Sequence, residues 1–220
     1  KALRGPLEDR KVTISRLRSK VEFPSSFMLV AASNPCPCGY YGIKDKCTCT
    51  PAQRLNYMSR LSGPIMDRID IQITIRPVPA ELLVHRKPGE SSAEVALRVL
   101  AARKIQSERF KGHNIFVNAE MSGELLRQFC PLDDECSEIM KKMAARTGIS
   151  ARAFSRVLKL SRTIADLETG ARLITFWRSI LPEVNAATIG TAPFPEGFSE
   201  PPILPKHIFE AFSYRFLDRL

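Results

Sequence analysis

Alternating apolar and polar positions open the chain, and a continuous apolar run follows them. The alternation occurs in "KVTISRL" (11–17) and again in "KVEF" (20–23), and two such neighbouring segments predict a β-hairpin over residues 11–23. The run "FMLVAAS" (27–33) is apolar at almost every position, which is typical of a strand buried on both faces of a parallel sheet. We therefore expect a hairpin followed by a central strand.

A helix and a further strand are predicted next. "PAQRLNYMSRLS" (51–62) places leucine and methionine at helical spacing, and Pro51 suits a first helical turn. "DIQITIRPV" (70–78) alternates isoleucine with other residues and stops at Pro77, as a strand does. These patterns predict an α/β domain over residues 1–85.

The periodicity becomes helical beyond a boundary near residues 85–91, which predicts an all-α domain over residues 86–220. Ser92 is the expected N-cap of its first helix. Helical patterns occur at 93–110, 121–129, 134–146, 151–168 and 205–219. The stretch 181–205 is rich in proline and glycine and is expected to be an extended loop.

Charge narrows the range of partners. The net charge of +10 and the pI near 9.6 favour an anionic partner, with nucleic acid ahead of a membrane, although a merely basic surface has the same composition. No apolar run has the length of a membrane span, and the N-terminal residues lack a secretory signal. We expect a cytoplasmic protein without membrane contact.

Four of the six cysteines lie in one loop, residues 34–50. Cys36, Cys38, Cys47 and Cys49 form a C-x-C-x₈-C-x-C pattern, which supplies four soft ligands to one tetrahedral structural zinc ion. Reduced free thiols, or disulfides formed during purification, are the alternatives. Since disulfides are uncommon in the cytosol, we predict zinc.

Several polar residues are candidates for contact with a nucleotide. Asn34 follows the predicted strand and would reach the rim of the sheet, unless it only forms a turn before Pro35. Arg68 lies between two aspartates, which suits either a surface salt bridge or an arginine finger. Arg152 begins a helix whose N-terminus favours anions, and it shares a basic face with Arg156. The alternative is that this basic face is only an ordinary solvated helix surface.

Two parts of an ATP site are absent from the sequence. No G-x-x-x-x-G-K-[ST] loop (Walker A) occurs, and no apolar strand ends in the Asp-Glu pair (Walker B) that manages Mg²⁺. We expect this chain alone not to hydrolyse ATP.

The strings "NPCPCG", "LSGPIMDRIDI" and "LSRTIADL" resemble the magnesium-chelatase-like AAA+ ATPases of the ComM/YifB type. The resemblance extends in order over residues 1–168 and weakly over 206–219. It implies the C-terminal part of an AAA+ P-loop ATPase core followed by a helical lid. In the longer protein, it implies use of ATP and Mg²⁺, self-association into a ring, by family analogy a hexamer, and branch migration of DNA by a helicase.

The resemblance also implies roles for individual residues. Asn34 corresponds to sensor 1, Arg68 to the arginine finger and Arg152 to the sensor 2 arginine of the lid. In related ring helicases the hairpin points into the channel. Its basic residues, the expected DNA contacts, are Lys11, Arg16, Arg18 and Lys20.

One segment departs from the family pattern. Residues 169–205 stand where relatives have a short linker, so the last helix of the lid could pack differently. Two other functions stay open: a zinc-stabilised nucleic-acid-binding module without a motor role, and the ATPase subunit of a metal chelatase. The cysteine loop and the basic charge favour the DNA-acting branch over the chelatase.

Overall fold

A computed structural model describes residues 3–16, 19–43, 45–60, 66, 68–75, 77–78, 84 and 88–215. The chain divides into two compact units, Lys1–Ile69 and Asp70–Leu220. This division lies ahead of the predicted domain boundary near residues 85–91, which stays a prediction.

The first unit contains two short helices and the predicted hairpin. Helix α1 spans Arg4–Asp9, strand β1 Lys11–Arg16, strand β2 Ser19–Pro24 and helix α2 Pro51–Arg60. The strands pair antiparallel, with Lys11 opposite Pro24 and Arg16 opposite Ser19. The prediction of the hairpin is therefore confirmed, as is that of a helix beginning at Pro51.

The two further predicted strands are wrong for the residues described. Residues 27–33 and 70–75 have no strand geometry, and β1 and β2 are the only strands within the described ranges. Most of their side chains remain in solvent, with Met28 88% and Ile75 84% exposed. A strand exists only through hydrogen bonds to a neighbouring strand, and no described segment pairs with either run.

The second unit is helical. Its elements are α3 (Ser92–Arg109), a 3₁₀ turn (Asn118–Glu120), α4 (Gly123–Phe129), α5 (Asp134–Thr147), α6 (Ala151–Ile180), α7 (Ala186–Thr191) and α8 (Pro205–Ser213). The N-cap of α3 is Ser91, one residue before the predicted Ser92, and its Oγ accepts from the Glu94 N–H at 3.2 Å. The predicted positions 216–219 of the last helix lie outside the described residues.

Helix α6 is longer than the pattern predicted. It runs for 30 residues, because Leu173, Ile174 and Trp177 continue its buried face beyond residue 168. It ends just before Pro182, whose ring cannot continue a helix.

The predicted loop at 181–205 contains helix α7, so that prediction is wrong in part. Asn185 caps α7 by accepting hydrogen bonds from the N–H groups of Ala187 and Thr188, both at 3.0 Å. The segment packs onto the long helix, where the Trp177 indole donates to the Pro193 carbonyl at 2.6 Å.

Two apolar clusters hold the helical unit together. Val157 of α6 and Phe212 of α8 lie in the first, and Ile105 of α3 and Trp177 of α6 lie in the second. Helix α6 contributes to both clusters and is the central element of the unit. Within the described ranges, none of the helices combines the length and apolar character needed to cross a membrane.

Candidate functional site

The four cysteines of the first unit converge on one point. Two glycines with positive φ, Gly39 (+83°) and Gly42 (+86°), let the chain turn between the two C-x-C arms. One ligand atom from each cysteine lies within 4.8 Å of every other. The Sγ atoms of Cys36, Cys38 and Cys47 are separated by 3.3, 3.7 and 3.9 Å.

These separations fit a metal better than a disulfide. Tetrahedral bonds of about 2.3 Å to zinc place the sulfurs roughly 3.8 Å apart. A disulfide requires about 2.05 Å, and all four thiols are free. The donor set and its geometry thus suit one tetrahedral ion.

The ionisation of two of these thiols, Cys38 and Cys49, is strongly perturbed. The backbone amide of Tyr40 is the main cause that lowers the pKa of Cys38 to about 6. The Cys38 backbone N–H lowers the pKa of Cys49, but burial and the neighbouring thiols Cys38 and Cys36 together outweigh it and raise that pKa to about 11. Thiolates this close repel one another, and a bound cation would relieve that repulsion.

The cysteine loop is fastened to helix α2. Thr50 and Gln53 form a reciprocal cap: the Gln53 N–H donates to the Thr50 hydroxyl at 3.2 Å, and the Thr50 N–H donates to the Gln53 side-chain Oε1 at 2.9 Å. The Arg54 guanidinium donates to the Cys49 carbonyl at 2.7 Å and lies 4.9 Å from the centre of the Tyr41 ring. An ion in the loop would therefore also fix the start of α2.

The basic hairpin is partly neutralised by its own acidic residue. The ammonium of Lys11 lies 3.0 Å and that of Lys20 4.0 Å from Glu22. The hydrogen bond from Lys11 is the main cause that lowers the pKa of Glu22. Arg16 is exposed at the end of β1, and Arg18 lies outside the described residues. The sequence prediction of DNA contacts did not include this neutralisation by Glu22.

Asn34 and Arg68 both lie in the first unit. The described residues contain no parallel sheet whose rim Asn34 could reach. Asn34 is exposed, and its side-chain amide packs 3.7 Å from the position where Gly39 would carry a Cβ. Arg68 is partly buried and lies within a turn in which the Ile69 N–H donates to the Met66 carbonyl at 3.1 Å. Since residues 27–33 form no strand here, the roles of Asn34 and Arg68 stay predictions.

The predicted basic face of α6 begins at the N-terminus of the helix. The Ser150 hydroxyl caps the helix at 3.2 Å from the Ala153 N–H, as a helix starting at 151 requires. Arg156 binds Asp70 at 2.5 Å, and Lys159 donates to the Ala119 carbonyl at 3.0 Å. Arg152 lies exposed in the first helical turn, where a helix N-terminus favours an anion.

A buried polar network in the helical unit was missed from the sequence. Arg109 donates to Asp166 through two nitrogens, at 2.7 and 2.8 Å, and to Asn118 at 2.8 Å. Its Nε also donates to Glu200 at 3.0 Å, and Arg162 donates to the Pro201 carbonyl. Although burial lowers the pKa of Arg109, the bonds to Asp166 raise it overall. The sequence signal for this network was Asp166, a carboxylate among the apolar positions of "LSRTIADL".

Comparison with known proteins covers most of the chain. Residues 1–83 match the family described as magnesium chelatase, subunit ChlI, and residues 89–175 match the C-terminal domain of the same subunit. The chain belongs to the magnesium-chelatase-like family of AAA+ ATPases. The expected resemblance to the ComM/YifB type is thereby confirmed.

Individual relatives agree with this assignment. The uncharacterized protein YifB of Escherichia coli is 39% identical over 221 residues, which covers 100% of this chain and 37% of the relative. Competence protein ComM of Haemophilus influenzae is 42% identical over 168 residues, 76% of this chain and 32% of the relative. An uncharacterized protein of Mycobacterium tuberculosis is 34% identical over 166 residues, 76% of this chain and 33% of the relative. The chain thus spans about a third of the length of these relatives.

Proposed function

We propose that this chain is part of an AAA+ ATPase that couples ATP hydrolysis to the remodelling of DNA, as a branch-migration helicase does. The supporting observation is membership of the magnesium-chelatase-like family, with matches at 1–83 and 89–175. The similarity to competence protein ComM and the net charge of +10 favour DNA as the partner. A ring, by analogy a hexamer, would bring one subunit's residues to its neighbour's nucleotide.

Three residues of this chain would act on the nucleotide. Arg68 would reach the transferring phosphoryl group of a neighbouring subunit and stabilise its charge. Arg152 would bind phosphate oxygens where the α6 N-terminus adds its own dipole, and Asn34 would orient the attacking water. ATP and Mg²⁺ would be held mainly by segments that this sequence does not contain.

Substitution of Arg68 tests the motor function. In the full-length protein, Arg68→Ala should lower ATP turnover roughly 10³-fold, because an arginine finger acts on the transition state. Nucleotide affinity should change little. Arg103→Ala, which removes an exposed arginine of α3, is the matched control and should leave turnover unchanged. Equal turnover in both variants would refute the role of Arg68.

The hairpin is the proposed DNA contact, through Lys11, Arg16, Arg18 and Lys20. Replacing all four with alanine should weaken DNA binding by the full-length protein and make its salt dependence shallower by roughly 0.9 per lost phosphate contact. The control variant removes four exposed cations of the helical unit: Arg103, Lys111, Lys141 and Lys142. Because both variants lose the same net charge, an equal loss of affinity would contradict a specific hairpin contact.

We also propose that Cys36, Cys38, Cys47 and Cys49 bind a structural zinc ion. This site supports a second candidate function, a nucleic-acid-binding module without a motor role. An open groove of about 690 Å³ lies beside the cysteines, and its α2 wall presents Gln53, Asn56, Tyr57 and Arg60. The Arg68 experiment separates the two functions, because a module without a motor role has no turnover to lose.

A further inference from the structure

Asp70 connects three segments of the helical unit. Its carboxylate lies 2.5 Å from the Arg156 guanidinium of α6 and 3.7 Å from that of Arg215, just beyond α8. Two residues later, the Gln72 N–H donates to the Tyr214 carbonyl at 2.5 Å. The start of the segment 70–75 is therefore held by a side chain of α6 and by residues at the end of α8.

The isoleucines of residues 70–75 are exposed to solvent. Ile71, Ile73 and Ile75 are all at least half exposed, and residues 70–75 have neither helical nor strand geometry. Arg215, in contrast, is almost fully buried, with 2% of its side chain exposed, and Asp70 places a carboxylate next to it. An anion beside a buried guanidinium is costly to remove. The Asp70 contacts thus anchor the start of this segment.

The position of this anchor in the chain gives it a functional meaning. Asp70 follows Arg68 by two residues, so the two Cα atoms can be at most about 7 Å apart. Arg156 lies one helical turn beyond Arg152 and on the same face of α6. The Asp70–Arg156 ion pair is therefore close in the chain to both of the arginines proposed to act on the nucleotide.

We infer that Asp70 is a positioning residue for Arg68, acting by binding Arg156 and Arg215. This inference rests on the proposed arginine-finger role. A finger guanidinium stabilises the transferring phosphoryl group only within a narrow range of positions, and an error of about 1 Å can cost a hundredfold in rate. Because Arg68 precedes Asp70 by two residues, its backbone cannot move far from that anchored position. Movement of α6 would in turn move the anchor of Arg68.

The test is a mutant cycle in the full-length protein. Asp70→Asn keeps the shape of the side chain and removes its charge, while Arg156→Gln removes the partner. Each should lower kcat for ATP about tenfold or more with KM changed less than about threefold, since positioning affects the transition state. The double variant should be no slower than the slower single variant, because both changes break one contact.

Glu94→Gln is the matched control. It breaks the exposed pair between Glu94 and Arg178, at 2.9 Å, in the same unit and should leave kcat unchanged. Three results would overturn the inference: an Asp70→Asn variant as active as this control, effects of the two substitutions that multiply, or an Arg156→Gln variant that mainly raises KM. The last result would make Arg156 a nucleotide ligand.

The Arg68→Ala variant separates this inference from the proposed function. If Arg68→Ala keeps full turnover, the arginine-finger role fails and the inference fails with it. If Arg68→Ala is inactive while Asp70→Asn is fully active, only the positioning role of Asp70 is refuted.

Discussion

The carboxylate of Asp166 is fully buried and accepts two hydrogen bonds from Arg109 and one from Asn118. Arg162 lies 3.4 Å away, on the preceding turn of the same helix. Burial is the main cause that lowers the pKa of Arg162. At the scale of single residues, Asp166 is thus the anion that allows two arginines to remain charged inside the helical unit.

Removal of this anion should destabilise the protein strongly. Asp166→Ala leaves Arg109 buried without its bidentate partner, and we expect a loss of about 3–5 kcal/mol in the free energy of unfolding. Glu138→Ala, which breaks the exposed pair with Lys141, should cost less than about 1 kcal/mol. Urea unfolding followed by circular dichroism measures both, and similar small losses would show that the network contributes little.

At the scale of elements, the packing of α3 on α6 depends on one glycine. A Cβ added to Gly170 would lie 3.0 Å from the Ala102 nitrogen, 3.2 Å from the Ala101 Cβ and 3.2 Å from the Arg98 carbonyl oxygen. Two of these atoms belong to the α3 backbone and cannot rotate away. Gly170 therefore lets the two helices cross in direct contact, although glycine itself weakens a helix by about 1 kcal/mol relative to alanine.

Alanine at this position should destabilise the protein. Gly170→Ala gains helix propensity but forces α3 and α6 apart, and overpacking of this kind costs about 1–3 kcal/mol. We expect a net loss of stability, and a larger loss for Gly170→Val. Gly190→Ala in α7 is the control, because no atom lies within 4 Å of its added Cβ. A Gly170→Ala variant as stable as Gly190→Ala in thermal unfolding would contradict the close crossing.

At the scale of the whole molecule, the interior of each unit is stabilised in a different way. The helical unit has two clusters of buried apolar side chains. In the first unit, the fully described helix α2 has no buried residue, and Cys36 is the one buried residue among the positions described. A metal ion would therefore matter far more to the first unit than to the second.

Zinc removal should accordingly affect one unit only. Protein purified without chelator should contain about one zinc ion per chain, and Cys47→Ser with Cys49→Ser should abolish it. Hydrogen exchange should then accelerate over residues 34–60 and stay unchanged over α3 to α6. Cys130→Ser, at a buried thiol of the helical unit, is the control and should keep the zinc. Metal-free protein with unchanged protection in residues 34–60 would refute the site.

The success of the sequence predictions depended on the range of the interactions involved. The hairpin and the start of α2 depend on near neighbours in the chain, and their predictions agree with the structure. Convergence of the four thiols also follows from local spacing, since one loop carries all of them. Family membership was predicted from three motifs and is confirmed by the comparisons.

The sequence by itself therefore determined the local elements, the cysteine cluster and the family. Only the tertiary structure decided that residues 27–33 and 70–75 form no strand, since strands need partners from elsewhere in the chain. It also decided that α6 runs to Ile180 and that Asp166 meets Arg109, 57 residues earlier in the chain. Burial and ion pairing depend on which distant surfaces meet, and local periodicity carries no information about that.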